Sequence, residues 1–187
     1  MAVQGPIVIT GASSGIGAAC AQYLDALGFT VWAGVRSTQD GEALTRLTSS
    51  RLRVLMLDVT DPASIEAARK TLAEATRDTG LAGLVNNAGI SVAGPLELLP
   101  LSEVRTQFEV NVIGVLAVTQ ALLPLLRLAR GRIVNISSIA GLAATPFLGA
   151  YCSSKFALEA MSDALRLELA PWGISVSLAE PGAIQSQ

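Results

Sequence analysis

Pro6-Ile-Val-Ile-Thr-Gly-Ala-Ser-Ser-Gly-Ile-Gly17 decides the fold of this chain. It opens with a short apolar, β-branched run, then places Gly11, Gly15 and Gly17 before a helix-like stretch, Ala18 to Leu27. Strand, glycine turn and helix in that order aim the first amides of the helix at a pyrophosphate. Of three such glycines, one permits the tight turn, one lets phosphate reach the backbone, and one lets helix and strand pack closely. Ser13 and Ser14 add hydroxyl donors, and no lysine follows the glycines, which argues against a nucleoside-triphosphate loop.

Outward from this stretch, apolar strand-like runs alternate with amphipathic ones. Strands are predicted near 6–10, 30–35, 53–58, 83–86, 132–137 and 174–179, and helices near 15–27, 40–48, 62–77, 102–127 and 150–170. Asp61-Pro62 supplies a cap and a first-turn proline for the third helix, and Gly80, Gly131 and Gly173 mark turns after helices. Strands apolar at every position fit a parallel sheet covered on both faces. The expected fold is therefore α/β: a doubly wound parallel sheet in a single domain, 1–187, with ligand at the carboxyl ends of the strands. Nothing marks a repeat or a linker.

Composition narrows the chemistry. The 187 residues are 51% hydrophobic and 15% charged, with a net charge of −2 and no basic block to neutralise phosphates, so no nucleic-acid partner is expected. Histidine is absent, which excludes Ser-His-Asp hydrolysis and His-ligated zinc. No metal site is expected. Cys20 and Cys152 read as buried thiols in a reducing compartment. No secretory leader is evident, so the expected location is cytoplasmic. The stretch Val110 to Ala129 carries Asn111, Thr119, Gln120 and Arg127, and Pro124 is expected to break it; it reads as a buried or interface helix with no membrane span. Glu66, Glu74, Asp78, Glu159, Asp163 and Glu168 read as solvated helix faces, and Trp32 and Trp172 as packing residues.

The acid–base work then falls to Tyr, Lys or carboxylates, and Tyr151 with Lys155 stands out. Residues four apart share a helix face. An ammonium beside a phenol favours the phenolate, which lets the phenol exchange protons near neutrality. A serine hydroxyl from a strand end, Ser138, can hydrogen-bond a substrate oxygen as its charge changes. Ser137 competes for that role, and alternation along a strand means that only one of the two faces the site.

With these residues laid out, the chain resembles the short-chain dehydrogenase/reductase family along its whole length. The matching segments are Thr10 to Gly17, Asp58-Val59, Asn86-Asn87-Ala88-Gly89, Asn111, Ser138, Tyr151 with Lys155, and Pro181-Gly182. Residues 31–36 and 151–157 look like members acting on steroids, retinoids or similar apolar alcohols. The resemblance implies an oxidoreductase passing hydride between NADP(H) and an alcohol or carbonyl. Tyr151 would give or take the proton, Lys155 would assist it and hold the nicotinamide ribose, and Ser138 would polarise the substrate oxygen. Asn111 would position a relay water, or would complete hydrogen bonding in a kinked helix. Gly11, Ser13, Ser14, Gly15, Ile16 and Gly17 would hold the pyrophosphate, and Asp58 and Val59 would contact adenine. Asn87, Ala88 and Gly89 would floor the ribose, and Pro181, Gly182 and Ile184 would flank the nicotinamide. Asn86 reads as a tie between strands.

The second strand ends Val35-Arg36, with no acid to repel a 2′-phosphate and a cation to accept it; with Ser14 as a further donor, NADP is expected over NAD. Arg36 as a plain surface charge is the competing reading. Family chains continue through a substrate lid and a last edge strand, so the resemblance implies a C-terminally incomplete chain in which Ser186 stands where a carboxamide-binding threonine is usual. It also implies a homodimer or homotetramer through the 102–127 and 150–170 helices. A catalytically weak NADP-binding or scaffold protein is the alternative function. The Ser-Tyr-Lys set speaks against it, since a pure binding module has no use for a phenol beside an ammonium.

Overall fold

The computed structural model describes residues 5–184; Ser186 lies outside them. Six strands form one parallel sheet: β1 (Ile7–Ile9), β2 (Val31–Val35), β3 (Leu52–Met56), β4 (Gly83–Asn86), β5 (Arg132–Ile136) and β6 (Ser175–Ala179). Their order is β3-β2-β1-β4-β5-β6, every neighbouring pair parallel. The chain first builds outward from β1 in one direction, then returns to build from β4 in the other. Between β1 and β4 the loops part in opposite directions, which opens a crevice at the carboxyl ends.

The helices are α1 (Gly15–Ala26), α2 (Thr38–Thr45), α3 (Pro62–Ala75), α4 (Leu101–Phe108), α5 (Val115–Ala129) and α6 (Gly149–Leu169). Alternation along β1 divides the core: Ile7 and Ile9 pack with Ala21 of α1 and Leu44 of α2, while Val8 packs with Leu72 of α3, Leu122 of α5 and Leu165 of α6. Caps set the helix starts. Asp61 accepts from the Ala63 amide at 2.9 Å ahead of Pro62, as expected, and Ser37 accepts from the Asp40 amide at 3.2 Å, starting α2 earlier than predicted.

The predicted single helix over 102–127 is three pieces in one line. A π-helical turn, Glu109–Gly114, joins α4 to α5. Pro124 does not break α5, because buried Leu122 and Leu126 hold the helix to the sheet on either side of it. After α5, Arg130 rather than Gly131 takes the left-handed backbone (φ 50°). By length and hydropathy alone Leu101–Ala129 is sufficient to cross a bilayer, with a third of its most apolar window buried; in the fold it lies along β4 and α3. Trp32 is buried, but Trp172 is half exposed, its ring covered by the Arg127 guanidinium at 4.2 Å.

Asn86 and Asn135 are register partners on β4 and β5. Asn86 Nδ2 donates to Asn135 Oδ1 (2.8 Å) and to Thr119 Oγ1 (3.0 Å), and Asn135 Nδ2 donates to Ser162 Oγ (2.8 Å). This buried chain of polar groups pins α5 and α6 to the sheet at a fixed height, directly beneath the crevice. Asn86 is thus the strand tie that the sequence suggested.

Candidate active site

The crevice is a cleft of about 600 Å³, within the range of small-molecule and cofactor sites. The turn after β1 forms one wall. Gly11 has φ +63°, and a Cβ on it would come within 2.8 Å of Ala88 Cα. Gly17, on the first turn of α1, would carry a Cβ 2.3 Å from the Gly11 carbonyl oxygen and 2.4 Å from Asn87 Nδ2. Side chains at these two positions would fill the space between turn and helix. Ser14 caps α1 through its backbone while its hydroxyl makes no capping bond, which leaves that donor for a ligand at the helix N-terminus.

The floor is clamped by Thr10 and Asn87. Thr10 Oγ1 accepts from the amides of Asn87 (3.0 Å) and Ala88 (2.9 Å), and Asn87 Nδ2 donates to the carbonyls of Thr10 (2.9 Å) and Gly11 (2.8 Å). On the β2–β3 side, Asp58 Oδ1 accepts from the Thr60 amide (2.9 Å) and hydroxyl (2.7 Å). The Thr60 amide first, then its hydroxyl and the more distant Arg36 charge, hold the Asp58 carboxyl below the usual carboxylate range against the opposing effect of burial. Arg36 is exposed at the cleft edge.

The opposite wall is α6. Lys155 is 5% exposed, and its Nζ donates to the Ile136 carbonyl at 2.8 Å and lies 5.7 Å from the Tyr151 ring centre. Burial pushes this lysine down from 10.5 to about 8, with the Glu159 carboxylate pulling the other way. Ser138 lies two residues past the end of β5, accepting from the Ala140 amide (3.2 Å) and donating weakly to the Pro181 carbonyl (3.4 Å).

Gly11, Ser13, Ser14, Ile16, Arg36, Asp58, Val59, Asn87, Ala88, Gly89, Ser138, Tyr151, Lys155, Pro181, Gly182 and Ile184 thus line one cleft. Gly15 (φ +53°) and Gly17 shape the turn from behind. Asn111 is not on the cleft wall. Its Oδ1 accepts from the Ile90 amide and its Nδ2 donates to the Ile90 carbonyl and to Ser154 Oγ, so the whole carboxamide is spent holding the loop after β4 against α6. Ser137 also borders the cleft, but its hydroxyl is buried toward Gly141 and Glu159, whereas Ser138 is the more exposed of the pair. Glu159 is also not the solvated residue expected: one carboxylate oxygen is buried without a hydrogen-bond partner. Thr60 and Thr106, which also line the cleft, carried no sequence signal, since polar loop residues look alike until the chain is folded.

Residues 6–187 match the family model described as short chain dehydrogenase. The chain belongs to the short-chain dehydrogenase family. Among curated short-chain dehydrogenases it is 46% identical to mouse retinol dehydrogenase 5 over 94% of this chain and 55% of that protein. It is 47% identical to human 17-beta-hydroxysteroid dehydrogenase type 6 over 94% and 56% respectively. A short-chain dehydrogenase from Burkholderia cenocepacia, solved in complex with NADP, superposes with a TM-score of 0.89 at 30% identity, covering 100% of this chain and 76% of that one. The chain spans about half the length of the curated relatives it matches.

Proposed function

We propose that this chain carries the cofactor and proton-transfer residues of an oxidoreductase that interconverts an apolar alcohol and its carbonyl with NADP(H). The observation that carries the reading is the meeting of a glycine-cradled cleft with Tyr151 and a buried Lys155 on its far wall. The fit to a dinucleotide rests on the tight turn that Gly11 and Gly17 allow, where a methyl group would collide with Ala88 or with the Gly11 carbonyl and Asn87 and push the turn out of shape. The α1 amides and the Ser13 and Ser14 hydroxyls would hold that pyrophosphate, Asp58 and Val59 the adenine, and Arg36 a 2′-phosphate. Pro181, Gly182 and Ile184 would flank the nicotinamide, and Lys155 would reach its ribose. When bound, the nicotinamide supplies or accepts hydride.

The chain's own part is proton handling. In the oxidative direction the Tyr151 phenolate takes the alcohol's proton; in the reductive direction the Tyr151 hydroxyl gives its proton to the forming alkoxide. The Lys155 ammonium stabilises the negative charge that this leaves on the phenol oxygen. Ser138 donates to the substrate oxygen, and Asn111 keeps the loop at Ile90 in place beneath it. An apolar substrate is supported by exposed Ile184 on the cleft wall and Ile139 beside Gly182, and by the retinol and hydroxysteroid dehydrogenases among the relatives. The exposed apolar side chains Leu101, Ile113, Phe156 and Leu167 on α4 to α6 support pairing of two copies through these helices. We read Leu101–Ala129 as a core and interface helix. The test is NADPH oxidation against retinal, steroid ketones and small ketones, with Tyr151→Phe alongside. The variant is expected to lose turnover by at least about a hundredfold while NADPH binding persists. Retained turnover would sink the proton role.

A further inference from the structure

We propose that Glu159 is a positioning residue of this site: its carboxylate, with one oxygen buried beside Gly141, is the internal counter-charge that keeps the Lys155 side chain an ammonium. The proposal rests on the proton-transfer reading above and extends it to a residue that never touches substrate.

Lys155 is almost wholly buried, donates one hydrogen bond to an uncharged carbonyl, and forms no ion pair among the described residues. A buried ammonium so placed tends to shed its proton. Glu159 follows four residues later on α6, one turn along the same face. One of its carboxylate oxygens is inaccessible and has no hydrogen-bond partner, and the Ser137 hydroxyl is in the same condition. Both approach one point: a Cβ on Gly141 would lie 3.0 Å from Ser137 Oγ, 3.0 Å from Glu159 Cγ and 3.1 Å from Glu159 Oε1. The glycine therefore opens the room in which the carboxylate is buried, with a hydroxyl donor on its far side. A native fold seldom retains an uncompensated donor and acceptor side by side in its interior unless their charge or polarity acts on something nearby.

What it acts on is Lys155. The groups facing that ammonium are few. From α6 come Tyr151 and Glu159; from β5 and its end, the Ile136 carbonyl and uncharged Ser137; from the π turn and the loop it holds, neutral Asn111 and the Gly89 backbone. Among the described residues Glu159 is the one anion that acts on Lys155, and it opposes the effect of burial. Glu159 does not line the cleft, so it favours the proton on nitrogen without occupying the cofactor side.

Lysine occurs only at 70 and 155, which makes a direct measurement simple. In protein labelled with 13Cε-lysine, two resonances titrate, and Lys70→Arg identifies the exposed one. Glu159→Gln is expected to lower the Lys155 midpoint by roughly one pH unit, and Glu159→Asp to recover most of that shift. Gly141→Ala serves as a second variant should Glu159→Gln fail to fold. It leaves the charge in place but crowds the carboxylate, and moves the midpoint the same way by a smaller amount. An unchanged midpoint in either folded variant overturns the proposal. The titration needs no turnover, so an inactive wild-type chain would count against the enzymatic reading alone.

Discussion

Replacing Lys155 by methionine should make this protein more stable and inactive at once. The stem of the side chain is buried, and methionine fills a similar length without a charge. Folding lowers the lysine from 10.5 to about 8; at 1.36 kcal/mol per unit, keeping it protonated in the native state costs about 3 kcal/mol near pH 7. The variant also loses the 2.8 Å bond to the Ile136 carbonyl, which returns about 1 kcal/mol, leaving a net gain of about 2 kcal/mol. The sign of the pH dependence follows from linkage. Below pH 8 both folded and unfolded wild type carry the proton, so the full penalty is present. Between pH 8 and 10.5 only the unfolded chain keeps it, so wild-type stability from this group rises with pH and the variant's advantage fades. Urea unfolding of both proteins at pH 7, 9 and 10, read as midpoints at constant slope, measures this. A variant less stable at pH 7, or a gain that stays level to pH 10, would refute the premise that Lys155 is held charged against its burial.

Arg36→Ala is expected to weaken NADPH binding at least tenfold and NADH binding little, measured by fluorescence titration; equal losses would leave Arg36 a surface charge. Gly17→Ala drives a methyl into the Gly11 carbonyl and the Asn87 amide, so dinucleotide binding should be lost with about 1–3 kcal/mol of stability, visible in binding and urea curves together. Asn86→Ala strands Asn135 Oδ1 and the Thr119 hydroxyl in the core and should cost about 2–4 kcal/mol in urea unfolding, with no selective effect on cofactor choice.

Much of this was legible in the residues themselves. The strand–glycine–helix start, the cap at Asp61-Pro62 and the apolar strands are local or periodic signals, and each was found within a few residues of its place. The pairing of Tyr151 with Lys155 needs only a helix, so spacing alone revealed it. Signals failed where geometry is not periodic. The π turn at Glu109–Gly114 leaves no composition mark, so Asn111 could be named but its commitment to Ile90 could not. Alternation separates Ser137 from Ser138, but the burial of the Ser137 hydroxyl beside Gly141 and Glu159 depends on a helix distant in the chain.

The sequence by itself determined the layered α/β fold, the dinucleotide-type turn and the pairing of Tyr151 with Lys155, because these rest on residue type and on contacts between near neighbours. Only the tertiary structure decided what is buried. The charge state of Lys155, the hidden oxygen of Glu159 and the spent carboxamide of Asn111 all depend on water being excluded by segments distant in the chain. Desolvation is a property of the packed whole, and no window of sequence contains it.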